Sequence, residues 1–180
     1  MGRDKASIPV PGTGPGTTLA RRTAGLLRGV ADPVVEVGPG HSGLPSVSED
    51  PPGGGPLAAA AAGWRALVDL GWHGPVLVVA TDLPLLSPGL LEWLAGHPAE
   101  RAVVPVAGDR VQPLCARYRS SDLAHAADLV TAGRRAMSDL LAVIDPVLIP
   151  EQEWAGPAGG ADALEDADTP ADLRRLVGPE

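Results

Sequence analysis

Apolar positions recur along the chain in two rhythms, and each predicts its own kind of element. Over residues 18–29, Leu19, Leu26 and Leu27 share one side while Arg21, Arg22 and Arg28 lie elsewhere, which predicts an amphipathic helix opened by Thr18 and closed near Gly29. Residues 57–70 repeat the pattern with an Ala run that lets a helix lie close to a sheet. Ser87-Pro88 caps a helix reaching Gly96, and Thr169-Pro170 caps a last one over 171–177. Residues 121–132 and 137–141 complete the helical set. Strands are predicted at 33–37, weakly at 44–47, and at 103–106, 114–118 and 143–149. Residues 75–80, Pro-Val-Leu-Val-Val-Ala, carry no polar alternation and predict a central parallel strand buried on both faces. The Gly- and Pro-rich stretches 10–17, 51–56 and 151–160 read as loops.

Strands alternating with helices define an α/β fold with a mostly parallel sheet in a single domain spanning 1–180. The core is aliphatic: 44% of residues are hydrophobic, yet aromatics are 3% and Phe is absent. A formal charge of −8 argues against nucleic acid or an anionic membrane as a partner. The single cysteine, Cys115, excludes an internal disulfide and a cysteine-based zinc site. No apolar run nears the ~20 residues that span a bilayer, and the start lacks a signal-peptide core, so the chain reads as cytoplasmic. The four histidines have no ligand spacing and read as surface residues.

Five segments carry candidate chemistry. Asp82 follows the apolar run 76–80, at the strand end where open α/β sheets bind ligands; it suits Mg²⁺ held against phosphate oxygens, or a helix N-cap. Met1-Gly2-Arg3-Asp4-Lys5 sets a glycine beside the only lysine, which suits a phosphate contact or an ordinary solvated terminus. Glu49-Asp50 precedes Gly53-Gly54-Gly55, a loop whose backbone can approach an anion closely or can simply flex. Gly133-Arg134-Arg135 can clamp an anionic substrate or face solvent. Asp166-Ala167-Asp168 before Thr169-Pro170 can complete a metal site or cap the helix.

In order, Met-Gly-x-Asp-Lys, Glu-Asp with Gly-Pro-Leu-Ala, Asp-x-Pro after an apolar strand, Gln112-Pro113-Leu114-Cys115-Ala116, Gly-Arg-Arg and x-Thr-Pro-x-Asp-Leu resemble the MobA-like nucleotidyltransferases. The likeness covers nearly the whole chain and is nearest the molybdenum cofactor guanylyltransferases. It implies a Rossmann-like three-layer αβα fold of the nucleotide-diphospho-sugar transferase type. The implied reaction is transfer of GMP from GTP to the phosphate of molybdopterin, with Mg²⁺ and loss of pyrophosphate. By position, the resemblance places Lys5 and Asp82 in catalysis, Gly2, Lys5, Asp50 and Asp82 at the nucleotide, and Asp82 and Asp168 on the metal. Arg134 and Arg135 fall to the second substrate. Molybdoenzymes or other cofactor-biosynthesis proteins are the implied partners.

The chain departs from the family pattern in three places. An apolar strand and a Leu-Ala-Gly-Gly-x-Ser-x-Arg loop normally come before Met-Gly-x-Asp-Lys, so a central strand and a phosphate loop are expected to be missing, leaving two neighbouring strand edges unpaired. Asp166 and Asp168 stand where the family has Asn, which adds negative charge. Glu36 stands where an Asn commonly lies near the nucleotide, and a carboxylate there alters base or ribose contacts. The alternatives are a cytidylyltransferase using CTP, or an inactive nucleotide-binding remnant.

Overall fold

Residues 5–10, 16–167 and 169–178 are described by the computed structural model. The chain opens with a short 3₁₀ turn, Lys5–Ser7, and then α1 (Leu19–Arg28) begins where the Thr18 hydroxyl accepts from the Arg21 N–H at 3.3 Å. Two short strands, β1 (Glu36–Val37) and β2 (Ser46–Val47), form a parallel pair. Next come α2 (Pro56–Asp69), β3 (Val76–Val79), α3 (Pro88–Gly96), β4 (Val103–Ala107), β5 (Arg110–Val111) and β6 (Cys115–Tyr118). The chain continues through α4 (Ser120–Thr131), α5 (Met137–Ile144), β7 (Val147–Ile149), α6 (Glu151–Ala158) and α7 (Pro170–Val177).

The larger sheet has the order β3-β6-β4-β5, with β7 also on β4. Because β6 runs antiparallel to both β3 and β4, those two strands share a direction, and β7 is parallel to β4. Three of the five strands share a direction, as the expected mostly parallel sheet requires, while β5 and β6 run against it. Strand alternation sends Val76, Val104, Ala116 and Tyr118 to one face, where α2, α4 and α5 supply Leu57, Ala61, Leu123, Met137 and Leu140. It sends Val103, Cys115 and Ile149 to the other, under Leu90, Leu91 and Leu94 of α3 and Trp154 of α6. The result is helix, sheet, helix: the three-layer α/β architecture that the family resemblance implies.

Three elements differ from the sequence reading. The apolar run in β3 is not a central strand with parallel neighbours. Its one paired neighbour among the described residues, β6, is antiparallel; only Val76 is fully buried, and Leu77, Val78 and Val79 are half-buried because the far edge borders a cleft. The predicted strand 143–149 is split: Val143 and Ile144 finish α5, Asp145 turns the chain at φ +46°, and only Val147–Ile149 pairs. Residues 151–160 are not a loop. They form α6 despite Gly156 and Pro157, because Trp154 is buried and its indole N–H donates to the Val106 carbonyl at 3.0 Å. Gly89 exists for this contact, since a Cβ there would stand 2.3 Å from the Pro157 carbonyl oxygen.

Candidate active site

β3 ends at Ala80, and its last ladder bond runs from the Ala80 N–H to the Leu114 carbonyl at 2.6 Å. The chain then turns through Thr81 and Asp82 into the Ser87 cap of α3, whose hydroxyl accepts from the Leu90 N–H. Ser87 is the N-cap of that helix, and Asp82 stays half-buried at the strand's carboxyl end. The C-terminal acidic segment docks here: the Ala167 N–H donates to the Asp82 carbonyl at 2.9 Å. Two segments far apart in the chain are thereby joined, and Asp166 lies beside the turn, with Arg110 at 3.8 Å from its carboxylate. Asp168 itself, like Gly2, lies outside the described residues, as does the side chain of Lys5. No group of three or more His, Cys, Asp or Glu side chains that could hold a metal occurs among the described residues.

Arg22 was not singled out by its place in the sequence, where it is one of several arginines on α1. In the fold its Nη2 donates to the Leu86 carbonyl at 2.8 Å, on the bend that follows Asp82. Its Nη1 is buried with no hydrogen-bond partner among the described residues. Burial holds the guanidinium pKa below its ordinary value. A buried cationic N–H without an acceptor is the signal that would mark an anion position here.

The Gly-rich loop and the arginine pair also come together. Arg135 donates through Nη2 to the Gly53 carbonyl, and the Leu57 N–H donates to the Arg135 carbonyl at 3.2 Å. Gly55 has φ +84°, and Gly54 leaves no room for a side chain: a Cβ would lie 2.6 Å from the Ala58 Cβ and 2.7 Å from the Pro51 carbonyl. Arg135 therefore fastens the loop that leads into the N-terminus of α2. Arg134 faces Asp139 at 3.4 Å on the surface. Asp50 is exposed on the same loop, and neighbouring Glu49 accepts from the Gly53 N–H at 2.7 Å.

Glu36, which lines the same cleft as Asp82, takes its hydrogen bonds from its own turn. One carboxylate oxygen accepts the Gly40 and His41 N–H groups at 2.9 Å, and the other accepts the Ser42 N–H at 2.8 Å and the Ser42 hydroxyl. Burial alone would raise its pKa. The hydrogen bonds from Ser42, His41 and Gly40 outweigh that and hold the carboxyl below its ordinary value. With four donors on two oxygens and 9% exposure, Glu36 organises the 38–44 turn.

Cys115 is buried in β6, and burial pushes its thiol pKa up to about 12, so it is no nucleophile. Of the histidines, His73 and His125 are exposed, while His41 and His97 are half-buried.

A three-layer α/β sheet carrying a half-buried carboxylate at a strand's carboxyl end, an acidic segment docked on it and a Gly-rich loop at a helix start is the frame of a nucleotide-handling enzyme. Residues 1–147 match the family model described as MobA-like NTP transferase domain, and the chain belongs to that family; it is a nucleotidyltransferase. A protein of Mycobacterium tuberculosis named probable molybdenum cofactor guanylyltransferase is 39% identical over 158 residues, covering 83% of this chain and 76% of that protein. A Chloroflexus aggregans protein of the same name is 30% identical over 183 residues, covering 97% and 86%. Among solved structures, molybdopterin-guanine dinucleotide biosynthesis protein A of Archaeoglobus fulgidus superposes with a TM-score of 0.73 at 22% identity, over 97% of this chain and 89% of that one, and shares the fold. No helix among the described residues is long and apolar enough to cross a membrane.

Proposed function

We propose that the chain is a molybdenum cofactor guanylyltransferase that joins GMP from GTP to the phosphate of molybdopterin. A phosphate oxygen of the acceptor attacks the α-phosphorus of GTP in line, the bond from that phosphorus to the β-phosphate oxygen breaks, and pyrophosphate leaves with the electron pair. Such chemistry needs positioning and charge neutralisation more than covalent help. The observation that carries the reading is the junction at Asp82: a carboxylate at a strand end, the Ala167 N–H hydrogen-bonded to its carbonyl, and the Arg22 Nη1, buried without an acceptor among the described residues, near the following bend. The relatives' name, molybdenum cofactor guanylyltransferase, supports guanine as the base and the molybdenum cofactor as the acceptor.

This donor set fits Mg²⁺, which takes one or two carboxylates and completes its shell with water and phosphate oxygens rather than an all-protein cage. In our reading Asp82 and Asp168 hold it, and it would neutralise charge on the triphosphate and the leaving pyrophosphate. Lys5, beside Gly2, sets a second positive charge against the phosphates, and Arg22 a third. Asp50 accepts from the guanine N–H donors. Arg134 lies on the surface beside the docked loop and takes the anionic end of the acceptor. Arg135 holds the 53–57 loop in shape and takes the same anion only in part, because one of its amino groups is engaged by Gly53.

The test is titration of GTP into the chain with and without Mg²⁺, for the native protein and Asp82→Asn. The reading predicts Mg²⁺-dependent binding that the substitution removes while the far-ultraviolet spectrum stays native. Equal Mg²⁺-dependent affinity in the variant takes Asp82 out of the site. Stronger binding of CTP than GTP makes the enzyme a cytidylyltransferase.

A further inference from the structure

Strand β5 carries the sheet past the point where β6 stops. Even-numbered residues of β4 turn their backbone groups to β7, where the Val147 N–H donates to the Ala102 carbonyl at 2.8 Å. Odd-numbered ones turn to β6, and on that side the Pro105 carbonyl accepts the Gln112 N–H at 2.9 Å. β5 therefore continues the row of β6. Arg117 of β6 pairs with Leu77 of β3 and with Val103 of β4, which sets those two strands level. Followed to the carboxyl edge, the same register brings Thr81 level with Ala107, and Ala107 is the pairing partner of Arg110. Arg110 thus stands at the carboxyl edge, in the row between β4 and the strand that ends in Asp82. Neighbouring rows are about 4.8 Å apart.

The hairpin that bears Arg110 is anchored from behind. The Glu151 carboxylate accepts the Gly108 N–H at 3.0 Å, and the buried Trp154 indole donates to the Val106 carbonyl. The Arg110 side chain itself is loose. It is 75% exposed, and its ion-pair partner Asp166 lies 3.8 Å away, beyond hydrogen-bond distance. An exposed pair at that separation adds little to stability. It does keep the guanidinium beside the junction, because the residue after Asp166 is Ala167, whose N–H donates to the Asp82 carbonyl. A phosphate oxygen at hydrogen-bond distance is a stronger partner for a guanidinium than a carboxylate this far off.

We propose that Arg110 is a phosphate-binding residue of the nucleotide site. Asp166 holds it in the empty site, and the polyphosphate displaces Asp166 as it binds. The inference rests on the proposed reaction for the owner of that polyphosphate, a nucleoside triphosphate. Charge gives the exchange its direction. Asp82 and Asp166 both stand where the polyanion enters, and Arg110 offsets one of them. Without Arg110 that carboxylate faces the phosphates uncompensated. Without the Asp166 charge the guanidinium is released to the phosphates at no cost in ion pairing. The two substitutions therefore move affinity in opposite directions, which a purely structural pair would not do.

The experiment titrates GTP with Mg²⁺, and separately inorganic tripolyphosphate with Mg²⁺, into the native chain, Arg110→Gln, Asp166→Asn and Arg101→Gln. Arg101 forms a similar exposed pair with Asp145 at the opposite edge of the sheet and controls for net charge. Arg110→Gln should weaken both ligands about tenfold, and Asp166→Asn should strengthen both about threefold. Arg101→Gln should stay within about twofold of native, and all differences should shrink at high salt. Melting temperatures of the four proteins should agree within a few degrees. Native affinity in Arg110→Gln overturns the proposal, as does weakening by Asp166→Asn or a native chain that binds neither ligand. Arg110-dependent binding of tripolyphosphate by a chain that ignores GTP upholds the phosphate role of Arg110 and sinks the guanylyl reading instead.

Discussion

Replacing Glu36 by Gln keeps the shape of the side chain while removing its charge and turning one acceptor oxygen into a donor. In the native turn that oxygen takes the Ser42 N–H at 2.8 Å and the Ser42 hydroxyl. The hydroxyl can rotate and accept from the new amide, but the Ser42 N–H then faces another donor. The two bonds on the other oxygen, from Gly40 and His41, lose their charge assistance. A hydrogen bond to a charged group contributes about 1.5–3 kcal/mol, so the net loss should be about 2–4 kcal/mol. At about 2–4 °C per kcal/mol for a chain of this length, Glu36→Gln should melt about 5–15 °C lower at pH 7. The pH dependence has a definite sign. The folded carboxyl titrates below its ordinary 4.5, so its contribution is complete above that pH and is lost as pH falls through the lower folded value. Thermal unfolding followed by circular dichroism at a series of pH values from 7 to 3 therefore gives two curves that converge in acid. A gap that stays constant across that range, or no gap at pH 7, refutes the assignment of Glu36 as the ionised organiser of the turn.

Other substitutions test the packing and the thiol. Gly89→Ala forces a methyl against the Pro157 carbonyl and should cost about 1–3 kcal/mol, read by urea unfolding; a neutral result means α6 is not seated on α3 as described. Trp154→Phe leaves the Val106 carbonyl without its indole donor and should cost about 1–3 kcal/mol by the same assay. Cys115 should stay unreactive toward a thiol reagent at pH 8 in the native protein and react at once in denaturant. Rapid native labelling would show that β6 is open to solvent.

The helices capped by Thr18, Ser87 and Thr169 were legible because each cap is a local signal, and all three hydroxyls accept from the N3 backbone. The α/β class followed from the alternation of strands and helices, and the three-layer plan from the family resemblance. Asp82 was legible as a strand-end carboxylate, while the backbone bond from the Ala167 N–H to its carbonyl is a tertiary contact that no local pattern announces. What escaped the sequence depends on tertiary contact. α6 runs against the propensity of Gly156 and Pro157, and only the buried Trp154 holds it. The antiparallel insertion of β6 leaves no periodic trace, so β3 read as central. Arg22 resembles its neighbours on α1 until the fold buries one of its nitrogens. Glu36 accepts from the turn after β1, a contact made with backbone N–H groups that no motif encodes.

The central claim is nucleotidyl transfer from GTP, and labelled α-phosphate tests it most directly. The chain is incubated with Mg²⁺, molybdopterin and each of the four nucleoside triphosphates in turn, labelled at the α-phosphorus. The account predicts that label passes from GTP into a molybdopterin–guanine dinucleotide, with one unlabelled pyrophosphate released per transfer. Label that moves faster from CTP, or that stays in the triphosphate for all four nucleotides, would contradict it.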